Sequence, residues 1–251
     1  MTSGMRRYLP SALTLVNLYL GLLSISLVMS GDVRNGAFLV LFGMFFDGLD
    51  GKLARLLDVT SNFGKELDSL ADVITFGVAP AVLLLSFGWV SPLYQVTAAI
   101  FVFAGAIRLA RFNTQPVAAV SHFVGLPITA GGGIAATAVL YSHMLPGALL
   151  PLAYALLASL MLSTLPYPSF KSASLPRNGA VLVGSMLATL GVLWLARDWA
   201  YIPLLAYALF GLGYKGGLWR RLPHGWRVRY ENRRISRLAR RQARQSKGQR
   251  K

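Results

Sequence analysis

The chain contains no cysteine among its 251 residues. A disulfide framework and a thiolate metal site are therefore both excluded. Histidine is almost as scarce: His122, His143 and His224 lie far apart and are read as non-ligating. Acid is short as well, with nine Asp and Glu against 25 Lys and Arg, a formal net charge of +16. Charged residues of both signs make up only 14% of the chain, hydrophobic residues make up 55%, and the mean hydropathy is +0.53. That balance does not suit a soluble globule and points to an integral membrane protein. A start of Met1-Thr2 offers no glycine for myristoylation.

Apolar runs approach the roughly 20 residues that cross a bilayer. The pattern predicts an all-α membrane bundle of about eight helices, near 8–29, 36–57, 67–88, 91–112, 123–143, 145–164, 178–196 and 199–217. The fifth and sixth form a tight hairpin around 144–147 in this reading, and six spans remain the alternative. The first run follows Arg6 and Arg7 but is long for a signal peptide, so it is read as a retained helix. With eight spans, 23 of the 25 basic residues fall on one side, and only Arg34 and Arg197 on the other. By the positive-inside rule both termini are cytoplasmic, and the bundle sits in the cytoplasmic (inner) membrane with its acids at the cytoplasmic face. Residues 1–217 are read as the membrane domain and 218–251 as a basic cytoplasmic tail. Trp219 and Trp226 would hold the tail at the interface, and its cations would adhere to anionic lipid at roughly 1 kcal/mol each. That is sufficient explanation for the charge, so nucleic acid is not expected as a partner.

Six of the nine acids crowd into residues 45–77, FFDGLDGKLARLLDVTSNFGKELDSLADVITFG. Asp47, Asp50 and Ala54 share one helix face at about 100° per residue. Asp68 and Asp72, four apart, share a face of the next helix, with Gly64 one turn before. A short, turn-prone link over 58–62 lets the two helices present four carboxylates to each other. Asp58 and Glu66 read as loop charges. Four gathered carboxylates repel unless a cation compensates, and hard divalent ions take oxygen ligands. Two Mg²⁺ ions would suit phosphoryl transfer. Gly48, Gly51, Ala54 and Gly64 leave space beside the acids for a bulky phosphate or nucleotide, and Arg55 can bind phosphate. Arg108 and Arg111, three apart, read as a clamp for an anionic group or as a positive-inside anchor. Asn17, polar in the first span, is read as a substrate contact. A cation transporter is the rival of another class, but it would spread its acids over distant helices.

The spacing Asp47-x2-Asp50-Gly51-x2-Ala54-Arg55-x8-Gly64-x3-Asp68-x3-Asp72 resembles the signature of the CDP-alcohol phosphatidyltransferase family at every fixed position. TLVNLYLGLLSI (14–25), RLARFNTQ (108–115) with FVGLP (123–127), and STLPYPSFK (163–171) resemble the serine-using branch of that family. The likeness runs from residue 9 to about 171. It implies transfer of a phosphatidyl group from CDP-diacylglycerol to L-serine with release of CMP, Mg²⁺ or Mn²⁺ as cofactor, and a homodimer. It implies Asp47, Asp50 and Asp68 as metal ligands, and Asp72 as general base and possible further ligand. Gly51, Ala54, Arg55 and Gly64 would cradle the cytidine diphosphate beside Asp47 and Asp68. Asn17, Arg108, Arg111 and Lys171 are the residues left for serine or lipid phosphate. Glycerol 3-phosphate, inositol 1-phosphate or choline as acceptor, and an ether-lipid donor, fit the same signature.

Overall fold

A computed structural model describes residues 3–114, 122–142 and 148–168. The elements are α1 (Ser3–Met29), α2 (Val33–Leu56), α3 (Asn62–Asp72), a π turn (Val73–Val78), α4 (Ala79–Leu85), α5 (Pro92–Thr114), β1 (His122–Val124), α6 (Ile128–Leu140), α7 (Leu149–Leu162) and β2 (Pro166–Pro168). The expectation of a purely helical chain needs one amendment. β1 and β2 form a three-residue antiparallel pair, with His122 opposite Pro168 and Val124 opposite Pro166. Three helical stretches among the described residues are long and apolar enough to cross a membrane: Tyr8–Met29, Asn62–Leu85 and Pro92–Thr114. The first six expected helices have counterparts. The expected spans 178–196 and 199–217, the 144–147 hairpin, Lys171 and the basic tail lie outside the described residues.

The helix starts follow local chemistry. Asp32 caps α2 by accepting from the Asn35 amide at 3.2 Å, and Ser61 caps α3 by accepting from the Gly64 amide at 3.0 Å. That second cap starts the helix at Asn62, five residues earlier than the hydropathy suggests. Lys65 and Glu66, expected in the loop, therefore sit on α3. Asp58 does lie in the turn, exposed and at φ 55°.

Apolar side chains point both ways. Phe76, Leu83, Leu84, Phe101, Ile128 and Tyr154 are fully buried, while Leu15, Tyr19 and Leu22 of α1, Ile100 and Phe103 of α5, and Leu152 and Leu156 of α7 are exposed. An exterior this oily suits lipid as the surrounding solvent. Polar bonds then tie helix to helix. Ser24 donates to Gly36 O at 2.7 Å, Thr75 to Asn17 O at 2.9 Å, and Tyr154 to Pro80 O at 2.9 Å.

The π turn is the axis of the packing. A Cβ on Gly21 would lie 2.8 Å from Thr75 Cα, and one on Gly132 would lie 2.6 Å from Phe76 O. A Cβ on Gly43 would meet the Thr75 methyl at 2.6 Å. Three helices thus close on one segment, each through a glycine, because no side chain fits there.

Candidate active site

The antiparallel course brings six helix ends together at one end of the bundle. These are the starts of α1, α3 and α6 and the ends of α2, α5 and α7. Thr14 of α1 bonds to Asp50 of α2, and Thr129 of α6 bonds to Asp47 of α2. Lys65 of α3 donates to Asn113 O of α5 at 3.1 Å, and Arg111 of α5 donates to Leu162 O of α7 at 3.2 Å.

The four aspartates meet here. Asp47, Asp50 and Asp68 each offer a carboxylate oxygen, and these oxygens lie within 4.8 Å of one another. Two ligands on opposite sides of one Mg²⁺ would be about 4.2 Å apart, so the set is close to the size a shared divalent ion needs. Oxygen donors of this hardness suit Mg²⁺ or Mn²⁺. Asp68 lies within interaction range of both Asp47 and Asp50. Asp72 lies within electrostatic range of all three. It is buried, and its Oδ1 has no hydrogen-bond partner among the described residues. Asp50 is buried too, at 3% exposure. Carboxylates so placed repel one another and have lost most of their water, which is the condition a bound cation relieves.

Space beside the acids follows the small residues. Nothing lies within 4 Å of a Cβ built on Gly48. At Gly51 a Cβ would meet only the Arg55 guanidinium, at 3.5 Å. Ala54 is half-buried on the same helix. Gly64 has less room, with Ser61 Oγ 3.2 Å from its Cβ position, because that hydroxyl caps the helix.

Arg108 and Arg111 were expected to face one way, and the structure separates them. Arg108 is buried at 7% exposure, its guanidinium 5.5 Å from the centre of the Phe112 ring. Its charge acts on Asp47 and Asp72. Arg111 is exposed and ties α5 to α7. Lys65 lies 5.8 Å from the Phe112 ring, so this aromatic sits between two cations. Asn113 donates to Ser69 at 2.9 Å, beside Asp68, and to Glu66 at 3.3 Å.

Asn17 is fully buried on α1, one turn in from Thr14. Neither its Nδ2 nor its Oδ1 has a hydrogen-bond partner among the described residues. Its Oδ1 lies 2.8 Å from the Gly43 Cβ position, one turn before Asp47.

Thr14 and Thr129 were not picked out in the sequence. Thr14 donates to Asp50 Oδ2 at 2.6 Å, and its oxygen also lies 3.1 Å from Pro10 O. Thr129 donates to Asp47 Oδ2 at 3.1 Å. The turn before α6 places Thr129. Gly125, at φ 78°, donates from its amide to Leu165 O at 2.8 Å, and Leu126 to Leu160 O at 3.0 Å. A side chain at Gly125 would collide with Met161 O. Both threonines fall in or just after segments quoted for their likeness to the serine-using branch. That was the available signal, although nothing in it named a partner.

The CDP-alcohol phosphatidyltransferase family matches residues 7–164, which include all four aspartates. A Helicobacter pylori protein named CDP-diacylglycerol–serine O-phosphatidyltransferase is 39% identical over 174 residues, covering 64% of this chain and 72% of that one. A protein of the same name from Methanocaldococcus jannaschii is 35% identical over 200 residues, covering 79% and 90%. One from Bacillus subtilis is 34% identical over 166 residues, covering 65% and 92%.

Proposed function

The chain belongs to the CDP-alcohol phosphatidyltransferase family, and from that premise we propose that it moves the phosphatidyl group of CDP-diacylglycerol onto the hydroxyl of L-serine. The products are phosphatidylserine and CMP. The observation that carries the reading is the gathering of Asp47, Asp50 and Asp68 oxygens within 4.8 Å, beside a buried Asp72 whose Oδ1 has no hydrogen-bond partner among the described residues. The names of the relatives support serine as the acceptor.

Each residue has a physical task in this reading. Asp47, Asp50 and Asp68 hold divalent metal, Mg²⁺ or Mn²⁺ and two ions per site, which when bound supplies positive charge against the phosphate oxygens. Asp72 takes the proton of the serine hydroxyl through its free oxygen. The serine oxygen then forms a bond to the phosphorus that carries diacylglycerol, and the bond from that phosphorus to the CMP oxygen breaks. Gly48, Gly51 and Ala54 leave the α2 face open for the cytidine diphosphate, and Arg55 lies over Gly51 to meet its phosphates. Arg108 faces the reacting centre and serves an anionic group, the lipid phosphate or the serine carboxylate. Asn17 contributes its unpartnered amide to the substrate, since a buried amide without partners is costly unless a ligand supplies them. Arg111 bonds Leu162 O through one of its several N–H donors, and the others remain for the lipid phosphate or the serine carboxylate.

The test is CMP release by purified protein supplied with CDP-diacylglycerol, Mg²⁺ or Mn²⁺ and a panel of alcohols. Serine is expected to give the fastest release. Release driven by glycerol 3-phosphate, inositol 1-phosphate or choline, with none from serine, overturns the acceptor assignment. Arg108 and Arg111 would also suit a phosphorylated acceptor.

The bundle is integral to the membrane, and we place it in the inner membrane with the site toward the cytoplasm, as the basic asymmetry supports. A homodimer is the expected assembly, to be checked by light scattering in detergent of known micelle mass. The basic tail is read as a contact for anionic lipid. Removing the residues after Leu222 should lower activity on anionic vesicles more than in neutral micelles, and equal loss in both sinks that reading.

A further inference from the structure

We propose that Thr14 and Thr129 are positioning residues of the carboxylate cluster, and that they set its grip on divalent metal. The inference rests on the metal reading of the cluster and goes beyond it. Asp47 and Asp50 are one turn apart on α2, and each has its Oδ2 held by a hydroxyl from a different helix. Thr14 comes from α1 at 2.6 Å, and Thr129 comes from α6 at 3.1 Å. A carboxylate with one oxygen fixed cannot turn about its Cβ–Cγ bond without breaking that bond. Its other oxygen then keeps one direction. For two like charges on one helix face this matters, because repulsion alone would swing them apart.

The anchoring hydroxyls are themselves confined. Thr14 is 3% exposed, and its oxygen has a second neighbour in Pro10 O. Its single proton lies with the nearer acceptor, Asp50. Thr129 stands in the first turn of α6, whose start is fixed by the Gly125 turn and its bonds to the end of α7. The cluster therefore senses the placement of α1 and α6, although neither helix contributes a carboxylate. Partners of this kind around metal-binding carboxylates change metal affinity or activity by about 10–100-fold when removed.

The experiment uses the full chain in detergent and measures Mn²⁺ binding directly, by the electron paramagnetic resonance of free Mn²⁺, without substrate. Thr14→Val and Thr129→Val keep shape and remove the hydroxyl. Each is expected to weaken Mn²⁺ binding by about tenfold. Thr14→Ser and Thr129→Ser keep the hydroxyl and are expected to restore binding to within about threefold of wild type. Thr137→Val is the packing control. Thr137 is 2% exposed, but its hydroxyl bonds only to Gly133 O and Ile134 O of its own helix. It should bind Mn²⁺ as wild type does. Turnover against metal concentration gives the second readout. The Val variants should need more metal for half-maximal rate and recover most of the rate at saturation, with the serine KM unchanged.

Wild-type binding in either Val variant overturns the proposal for that threonine. Serine variants as weak as the valine variants, or a Thr137→Val variant equally weakened, also overturn it, since packing would then be the cause. A wild-type protein that binds no Mn²⁺ fails at the metal reading itself, and the proposal falls with it.

Discussion

Asp72 differs from Asp47 and Asp50 in what touches it. Asp47 and Asp50 each accept a threonine hydroxyl, whereas Asp72 Oδ1 has no hydrogen-bond partner among the described residues. A base needs an oxygen free to receive a proton, and a ligand needs one held in place. Asp72→Asn should therefore lower kcat by about 10²–10⁴-fold and leave Mn²⁺ binding within a few-fold of wild type. Full turnover in that variant removes the base assignment. Asn17 makes the opposite kind of case. Its amide is buried without partners, at a cost of about 1–3 kcal/mol in the ligand-free chain. Asn17→Leu should hold or raise the thermal midpoint and lower kcat/KM for CMP release at least about tenfold, the two being read by calorimetry and assay. Lower stability with unchanged activity would make Asn17 structural. The aspartates were legible in sequence because helix spacing alone brings Asp47 to Asp50 and Asp68 to Asp72. The threonines were not, since their partners lie 36 and 82 residues away and a lone Thr in an apolar run carries no sign of one.

At the scale of elements, the π turn links the carboxylate cluster to the packing. It begins directly after Asp72, and Gly132 of α6 presses on Phe76 within it. The nearest atoms to a Cβ at Gly132 are backbone, which cannot rotate away. Gly132→Ala should destabilise the bundle by about 1–3 kcal/mol and lower turnover by shifting the chain that carries Asp72. Gly51→Ala should do the reverse. Its Cβ makes only ordinary contact with Arg55, so the melting transition should hold while the KM for CDP-diacylglycerol rises. Melts and kinetics of the pair, compared side by side, separate the two roles of glycine. If Gly51→Ala unfolds the chain, the open face has been misread. Neither the π turn nor the early start of α3 was legible. The six residues from Val73 to Val78 carry no period that distinguishes i→i+5 from i→i+4 closure, and the Ser61 cap precedes a polar turn that hydropathy assigns to a loop. The separation of Arg108 from Arg111 was missed for a related reason. Positions three apart share a helix face only loosely, and here one falls on each side of the line between core and exterior.

For the whole molecule, the natural absence of cysteine offers a direct test of sidedness. A single cysteine at Asn62 and another at Val90 should be labelled from opposite sides of intact membrane vesicles by an impermeant maleimide. Asn62 belongs to the end that carries the carboxylates, and Val90, 91% exposed, follows the other end of the same helical stretch. On the positive-inside pattern, Asn62 is expected to be labelled from the cytoplasmic side. Labelling of both from one side would refute a crossing between them.

The carboxylate cluster also ties survival of the fold to its ion. A cation that binds only the folded bundle stabilises it by RT ln(1 + [L]/Kd), about 2.7 kcal/mol at a hundredfold excess over Kd. The melting midpoint in detergent should thus climb with Mg²⁺ or Mn²⁺ and drop on chelation, and a midpoint indifferent to both would contradict the site. Shortage of divalent cations would then act twice, once on turnover and again on how much enzyme escapes proteolysis. The head-group composition of the membrane would become a slow record of mineral supply.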